Sequence, residues 1–134
     1  MPIDDAHRLL DGAEMLFRQL HPSQADEMGR PSTGAFKPGR SHDFQLSVDR
    51  GRKVSAEEAT LHWQRMNRAT LGAWGVTVRE CDEQRSPAYD DEGAQQPAHA
   101  LIDMQPLSNS DRKKAASNLA AHARERGCLF ASSS

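Results

Sequence analysis

The chain is poor in most of the features by which a sequence declares its function. No apolar run approaches the ~20 residues needed to cross a bilayer. The opening Met1-Pro2-Ile3-Asp4-Asp5 has neither the basic start nor the apolar stretch of a secretory signal. Aromatic residues make up only 5% of the chain, so a base-stacking surface is not expected. Two cysteines, Cys81 and Cys128, form no CxxC pair, and without an export signal they read as reduced thiols in a cytosol. Neither sign of charge dominates: 17 Lys and Arg face 19 Asp and Glu, a net charge of −2, which excludes the strong basic field of a nucleic-acid coat protein. The six histidines include no HExxH pair, so no dedicated metal site is expected. GxSxG, P-loop and GxGxxG motifs are absent too.

What is present suits one modest core. The 134 residues, 37% hydrophobic, support a single α+β domain over 1–130, followed by a serine tail, 131–134, expected to fray. Residues 14–20 read as a strand that stops at His21-Pro22, with a helix through 5–20 as the alternative, because Leu9, Ala13, Leu16 and Leu20 also recur at helical spacing. From 21 to 45 there is no periodicity. Gly29, Pro31, Gly34, Pro38 and Gly39 punctuate this stretch, and Phe36 and Phe44 are expected to pin it to the core. A structureless stretch of that length inside a small domain is often functional.

Phe44, Leu46 and Val48 alternate with polar residues, the mark of a half-buried strand, and Arg50-Gly51-Arg52-Lys53 forms a basic turn. Ser55-Ala56-Glu57-Glu58 is a capping box that predicts a helix over 56–69, with Ala59, Trp63 and Met66 on its apolar stripe. Trp74, Val76 and Val78 alternate and predict a strand over 73–80; an acidic loop over 82–98 follows. His99–Met104 reads as another strand. Ser108 or Ser110 then caps an alanine-rich helix over 110–125, with Gly127 at a left-handed C-terminal cap. The fold class is therefore α+β: a small antiparallel or mixed sheet of about four to five strands covered by two main helices.

One polar cluster could carry chemistry. Arg18 and His21 end the first strand, Arg30 and Ser32 lie in the long loop, and Ser47 and Asp49 sit on the next strand. Arginines beside a Gly/Ser-rich loop suit phosphate or carboxylate oxygens, because the guanidinium offers two parallel donors. His99 and Asp103 share a strand face, too far apart for one metal ion. Cys81, beside Asp82 and Glu83, has a setting that raises its pKa, so it reads as a packing residue. Arg112, Lys113, Lys114, Arg124 and Arg126 read as a solvated helix face.

The segments Phe17-Arg18-Gln19-Leu20-His21-Pro22, Gly29-Arg30-Pro31-Ser32 running to Phe36-Lys37-Pro38, Leu46-Ser47-Val48-Asp49 and Pro97-Ala98-His99-Ala100-Leu101-Ile102-Asp103 resemble a family of small uncharacterised bacterial proteins. That family pairs an Arg-Gln-x-His-Pro strand with a Gly-Arg-x-Ser-Ser-x-Ala-Phe-x-Pro loop and a Leu-Ser-Val strand; Thr33-Gly34 departs from its loop. The likeness spans most of 15–130 and implies a strand over 14–20, without implying an activity. A weaker likeness is to ADP-ribosyltransferase-like domains such as the RES toxins. It implies Arg18 and Arg30 on the phosphates of NAD and Ser47 at the nicotinamide pocket, with Glu80 or Asp103 nearest to the catalytic glutamate.

Together these features lead to the expectation of a bacterial cytoplasmic protein that binds a protein partner, in a defence, toxin or immunity setting, with no cofactor. The alternative is a nucleotide- or NAD-handling, ADP-ribosyltransferase-like enzyme with Arg18, His21, Arg30, Ser32, Ser47 and Asp49 around a phosphate-bearing small molecule. Neither nucleic acid nor a membrane is expected as a partner.

Overall fold

The computed structural model describes residues 5–91 and 98–132. Six strands form one antiparallel sheet: β1 (Met15–Gln19), β2 (Gln45–Arg50), β3 (Gly72–Thr77), β4 (Ala88–Asp90), β5 (His99–Asp103) and β6 (Phe130–Ala131), in the order β4-β5-β2-β1-β3-β6. Three α-helices accompany them: α1 (Ala56–Arg65), α2 (Val78–Glu83) and α3 (Asn109–Arg126). The α+β class holds, with more strands than expected. The two additions, β4 and β6, are three and two residues long. Neither is long enough to display the alternation by which a strand is recognised.

Residues 14–20 resolve in favour of the strand. Within β1, Leu16 and Arg18 face one side of the sheet, and Met15, Phe17 and Gln19 the other. The first side carries the main core: Leu16, Leu20, Leu46, Val48, Trp74, Val76, Ala100, Ile102 and Met104 pack against Ala115, Ala116, Leu119, Ala120 and Ala123 of α3. Small alanines let α3 lie close to the sheet. On the second side, Phe17 and Ala73 meet Ala59 of α1, with Met15, Val54, Leu129 and Phe130 around them.

Helix boundaries follow their capping chemistry. Ser55 accepts from the Glu58 N–H at 3.0 Å, and Glu58 accepts from the Ser55 N–H at 3.0 Å, so α1 starts where its capping box dictates. It ends at Arg65 rather than 69, because Asn67 takes the left-handed conformation (φ 59°) and turns the chain away. The strand expected over 73–80 stops at Thr77. Thr77 and Glu80 form a second capping box that starts α2, and Cys81 lies inside that helix instead of at a strand end. Ser108 caps α3 through the Asp111 N–H at 3.2 Å. Gly127 has positive φ but ψ 170°, so the expected left-handed cap is an extended exit instead.

The stretch 21–45 is ordered by three short 3-10 turns, at Pro22–Gln24, Thr33–Phe36 and Arg40–His42. Phe36 is fully buried in the main core. Phe44 pins the end of the stretch differently, through the Arg112 guanidinium 3.6 Å above its ring. Ala131, expected to fray, pairs with Gly72 in the sheet, and the Ser132 hydroxyl donates to the Thr70 carbonyl at 2.8 Å. Ser133 and Ser134, the rest of the expected tail, lie outside the described residues, as do 92–97 of the acidic loop.

The basic face of α3 is only partly solvated. Arg112 is buried and donates to the Met104 and Gln105 carbonyls. Arg124 donates to the Pro31 carbonyl, and Arg126 to the Gly75 carbonyl and the Glu80 carboxylate. Three of the five residues read as a solvated face are thus tethers between elements; Lys113 and Lys114 are exposed.

Candidate functional site

The sheet has a seam at its centre. β1 pairs with β3 along its whole length, and β2 with β5 along five residues. Between β1 and β2, however, only Leu16↔Arg50 and Phe17↔Asp49 are in register. Beyond them the two halves part, and a cleft of about 600 Å³ opens between Arg18 and Gln19 on one side and Gln45, Leu46 and Ser47 on the other. His21, Gln24, Lys37, His42, Trp63 and Arg68 complete its walls. No Asp or Glu lines it among the described residues.

Arg18 bridges the seam. Its Nε donates to the Ala35 carbonyl at 3.0 Å and its Nη1 to the Ser47 carbonyl at 2.8 Å. Both acceptors are neutral, and no carboxylate pairs with Arg18 among the described residues. Burial lowers its pKa to about 10, so it is a cation at neutral pH, held in a partly desolvated place without a counter-charge. Such a charge is costly to keep unless an anion comes to it.

Two buried amides face the same opening. Gln19 and Gln45 are 7% and 8% exposed, and the Nε2 atoms of both are buried without a hydrogen-bond partner among the described residues. The Gln19 amide is held by its oxygen, which accepts from the Thr70 hydroxyl at 2.8 Å and the Thr60 hydroxyl at 3.2 Å. A buried donor left unpaired costs ~1–3 kcal/mol, so two at one cleft call for a reason. At the mouth, the Arg68 guanidinium stacks 4.6 Å from the centre of the Trp63 ring. Trp63, read as an apolar-stripe residue, is thus a wall of the cleft.

Of the residues expected at the site, the cleft gathers Arg18, His21 and Ser47. His21 Nδ1 accepts from the Ser23 N–H at 3.0 Å, which orients the ring at the turn that begins there. The other three do not line it. Arg30 is drawn into a small loop in which Asp26 accepts from its Nε at 3.1 Å and its N–H at 2.9 Å. The Ser32 hydroxyl donates to the Gln24 carbonyl at 2.7 Å and ties that loop down. Asp49 sits in the last registered pair of the seam, opposite Phe17, and not in the cleft lining. Burial raises its pKa, against the pull of His99 and His62.

The remaining candidates also have structural employment. Glu80 accepts from Arg126 at 2.8 Å, and Asp103 accepts from the Gln105 N–H at 3.1 Å. His99 Nδ1 meets Asp91 at 2.8 Å. Burial, reinforced by Asp82 and Glu80, drives the Cys81 thiol far above its usual range. Burial also raises Cys128. Both thiols are free, and no group of three or more His, Cys, Asp or Glu is arranged to hold a metal among the described residues. No described helix is long and apolar enough to cross a membrane.

Sequence reasoning passed over Gln19, Gln45, Lys37, His42 and Arg68. A usable signal was present for one of them: Gln19 sits between Arg18 and Leu20, on the face that Phe17 buries. No protein-family model matches the chain, and no match emerges among curated proteins or solved structures.

Proposed function

We propose that this protein binds a small anionic molecule, of the phosphate- or carboxylate-bearing kind, in the cleft between β1 and β2. The observation that carries this reading is Arg18: a guanidinium tethered by two carbonyls, with no carboxylate partner and no acidic cleft lining among the described residues. Lys37 and Arg68 add cationic donors around it, and His21 and His42 add imidazole rings. The volume lies within the range of small-molecule sites. The reading is one of binding. An ADP-ribosyltransferase-like reaction needs a carboxylate at the nucleotide, and the two nearest candidates, Glu80 and Asp103, are absent from the lining.

A thermal-shift series with NAD, mononucleotides, sugar phosphates and dicarboxylates at millimolar concentration tests this proposal. A bound ligand raises the melting temperature by mass action. The expected result is a shift with at least one phosphate or carboxylate compound that Arg18→Met abolishes. No shift with any of them overturns the proposal.

A protein partner in the cytoplasm, in a defence or immunity setting, is a second reading. It is supported by two exposed apolar side chains, Leu10 before β1 in the chain and Met28 after it, which are 86% and 76% exposed. Capture from a host lysate that recovers the same proteins with Leu10→Ser and Met28→Ser as with the native chain would count against that surface.

A further inference from the structure

We infer that the ligand of this cleft carries, besides its anionic group, a flat ring edged with carbonyl-type acceptors, as in an oxo-pyrimidine or oxo-purine nucleotide. The inference rests on the reading of the cleft as an anion site and deepens it. Arg18 belongs to the main-core face of the sheet, whereas Gln19, Gln45 and Ser47 alternate onto the α1 face. A ligand in the seam therefore meets two chemistries: a cation on one side, and neutral amides on the other.

The amides define the second group. The Gln19 oxygen is already taken by two threonine hydroxyls, so its Nε2 is what remains. Gln45 likewise presents an Nε2 without a partner. Both are donors, so the complementary edge carries acceptors. It is also neutral, because a charge placed against buried dipoles alone is poorly compensated. Carbonyl oxygens and bare ring nitrogens meet both conditions: uracil offers the oxygen at position 4, and guanine offers O6 and N7. Cytosine and adenine place an amino group at that edge and would set donor against donor. Beside the amides, Trp63 with Arg68 stacked on it forms a flat cationic platform suited to a ring. Both nitrogens are buried, so side chains around the cleft must shift for a ring to reach them; Lys37, His42 and Arg68 are exposed members of its lining.

The test compares UMP with CMP and GMP with AMP by isothermal titration calorimetry, with ribose 5-phosphate as the ring-free control. UMP and GMP should bind roughly tenfold or more tightly than their amino counterparts, the discrimination expected of one hydrogen-bonded base edge. Gln45→Leu should erase that preference, and Gln45→Met serves if the leucine variant folds poorly. Equal binding of all four nucleotides and of ribose 5-phosphate would leave the anion site standing and overturn the inference. A preference for CMP and AMP would overturn it as well. Binding of none of the five compounds, with dicarboxylates binding, would also overturn it; binding of no anion at all would overturn the underlying reading.

Discussion

The Arg18 guanidinium reaches the Ser47 carbonyl at 2.8 Å across the very gap where β1 and β2 cease to pair. A side chain thus stitches two strands at a place where a backbone ladder would ordinarily do so. That stitch defines both the shape and the charge of the cleft.

Removing it should show in two measurements. Arg18→Met leaves the Ala35 and Ser47 carbonyls without their donor and should lower stability by ~1–3 kcal/mol in urea unfolding. It should also abolish any anion-dependent rise in melting temperature. Arg18→Lys keeps the charge but not the fork that spans two carbonyls, and should fall between. A methionine variant that retains the full anion response would remove Arg18 from the site.

The opposite end of the seam is held by charge. Arg50 donates to both oxygens of the buried Glu14, at 2.8 and 3.0 Å, and to Asp90 at 3.2 Å. Arg50→Met alone should cost ~3–5 kcal/mol, because it strands a buried carboxylate. The double variant Glu14→Leu with Arg50→Met should recover much of that loss. Chemical denaturation of the three proteins decides this, and an equal or greater loss in the double variant would contradict it.

Glu80 should make the fold acid-sensitive. Burial tends to raise its pKa, but hydrogen bonds from Arg126 and the Thr77 N–H outweigh burial, and the net direction is downward. A carboxylate lowered in the folded state stabilises fully above its unfolded pKa and loses that contribution as pH falls through the folded value. Melting temperatures should therefore decline below about pH 4.5, the ordinary value of a glutamate. Glu80→Gln should be less stable at neutral pH and decline less steeply. Parallel acid limbs for the two proteins would refute this assignment.

Asp49 should behave in the reverse sense. Its pKa is raised, chiefly by burial. The contribution of such a group is present below its unfolded pKa and is lost as pH rises through the folded one. Asp49→Asn should accordingly gain melting temperature relative to the native chain at pH 7 and lose that advantage at pH 3. An asparagine variant less stable at pH 7 would show that His99 and His62 matter more than burial.

Gly72 should tolerate no side chain. Its φ of 137° is a conformation that L residues rarely adopt, and an added Cβ would collide with the Phe130 carbonyl oxygen. Gly72→Ala should cost more than about 1 kcal/mol and release β6 from the sheet. Faster amide exchange at Phe130 and Ala131 would report that release.

Much of the scaffold was legible because its signals are local. Ser55 and Glu58 announce a helix start within four residues, and Leu46 and Val48 announce a strand by alternation. The same capping grammar at Thr77 and Glu80 was masked, because Val78 extends the alternation of Trp74 and Val76 by one more step. The core of the site was less legible, since its logic is not local. Gln19 meets hydroxyls 41 and 51 residues away, at Thr60 and Thr70. The neighbours of Gln19 along the chain place it on a buried face, but they do not say that its amide hydrogens are left unmet. Arg30 and Ser32 misled for the converse reason: Asp26 and Gln24, their partners a few residues away, absorb the chemistry their types suggest.

The seam also limits how this molecule could be cut or rebuilt. One half of the sheet holds residues 15–19, 72–77 and 130–131, and the other holds 45–50, 88–90 and 99–103. The chain passes from one half to the other four times, counting in order from β1 to β6. No single backbone cleavage separates the halves, and no contiguous fragment contains either one without a strand of the other. The cleft resembles the gap between two domains in shape, yet its walls are woven from one thread. Any widening on ligand entry would then pull on the four connections that run between the halves, at 20–44, 51–71, 78–87 and 104–129.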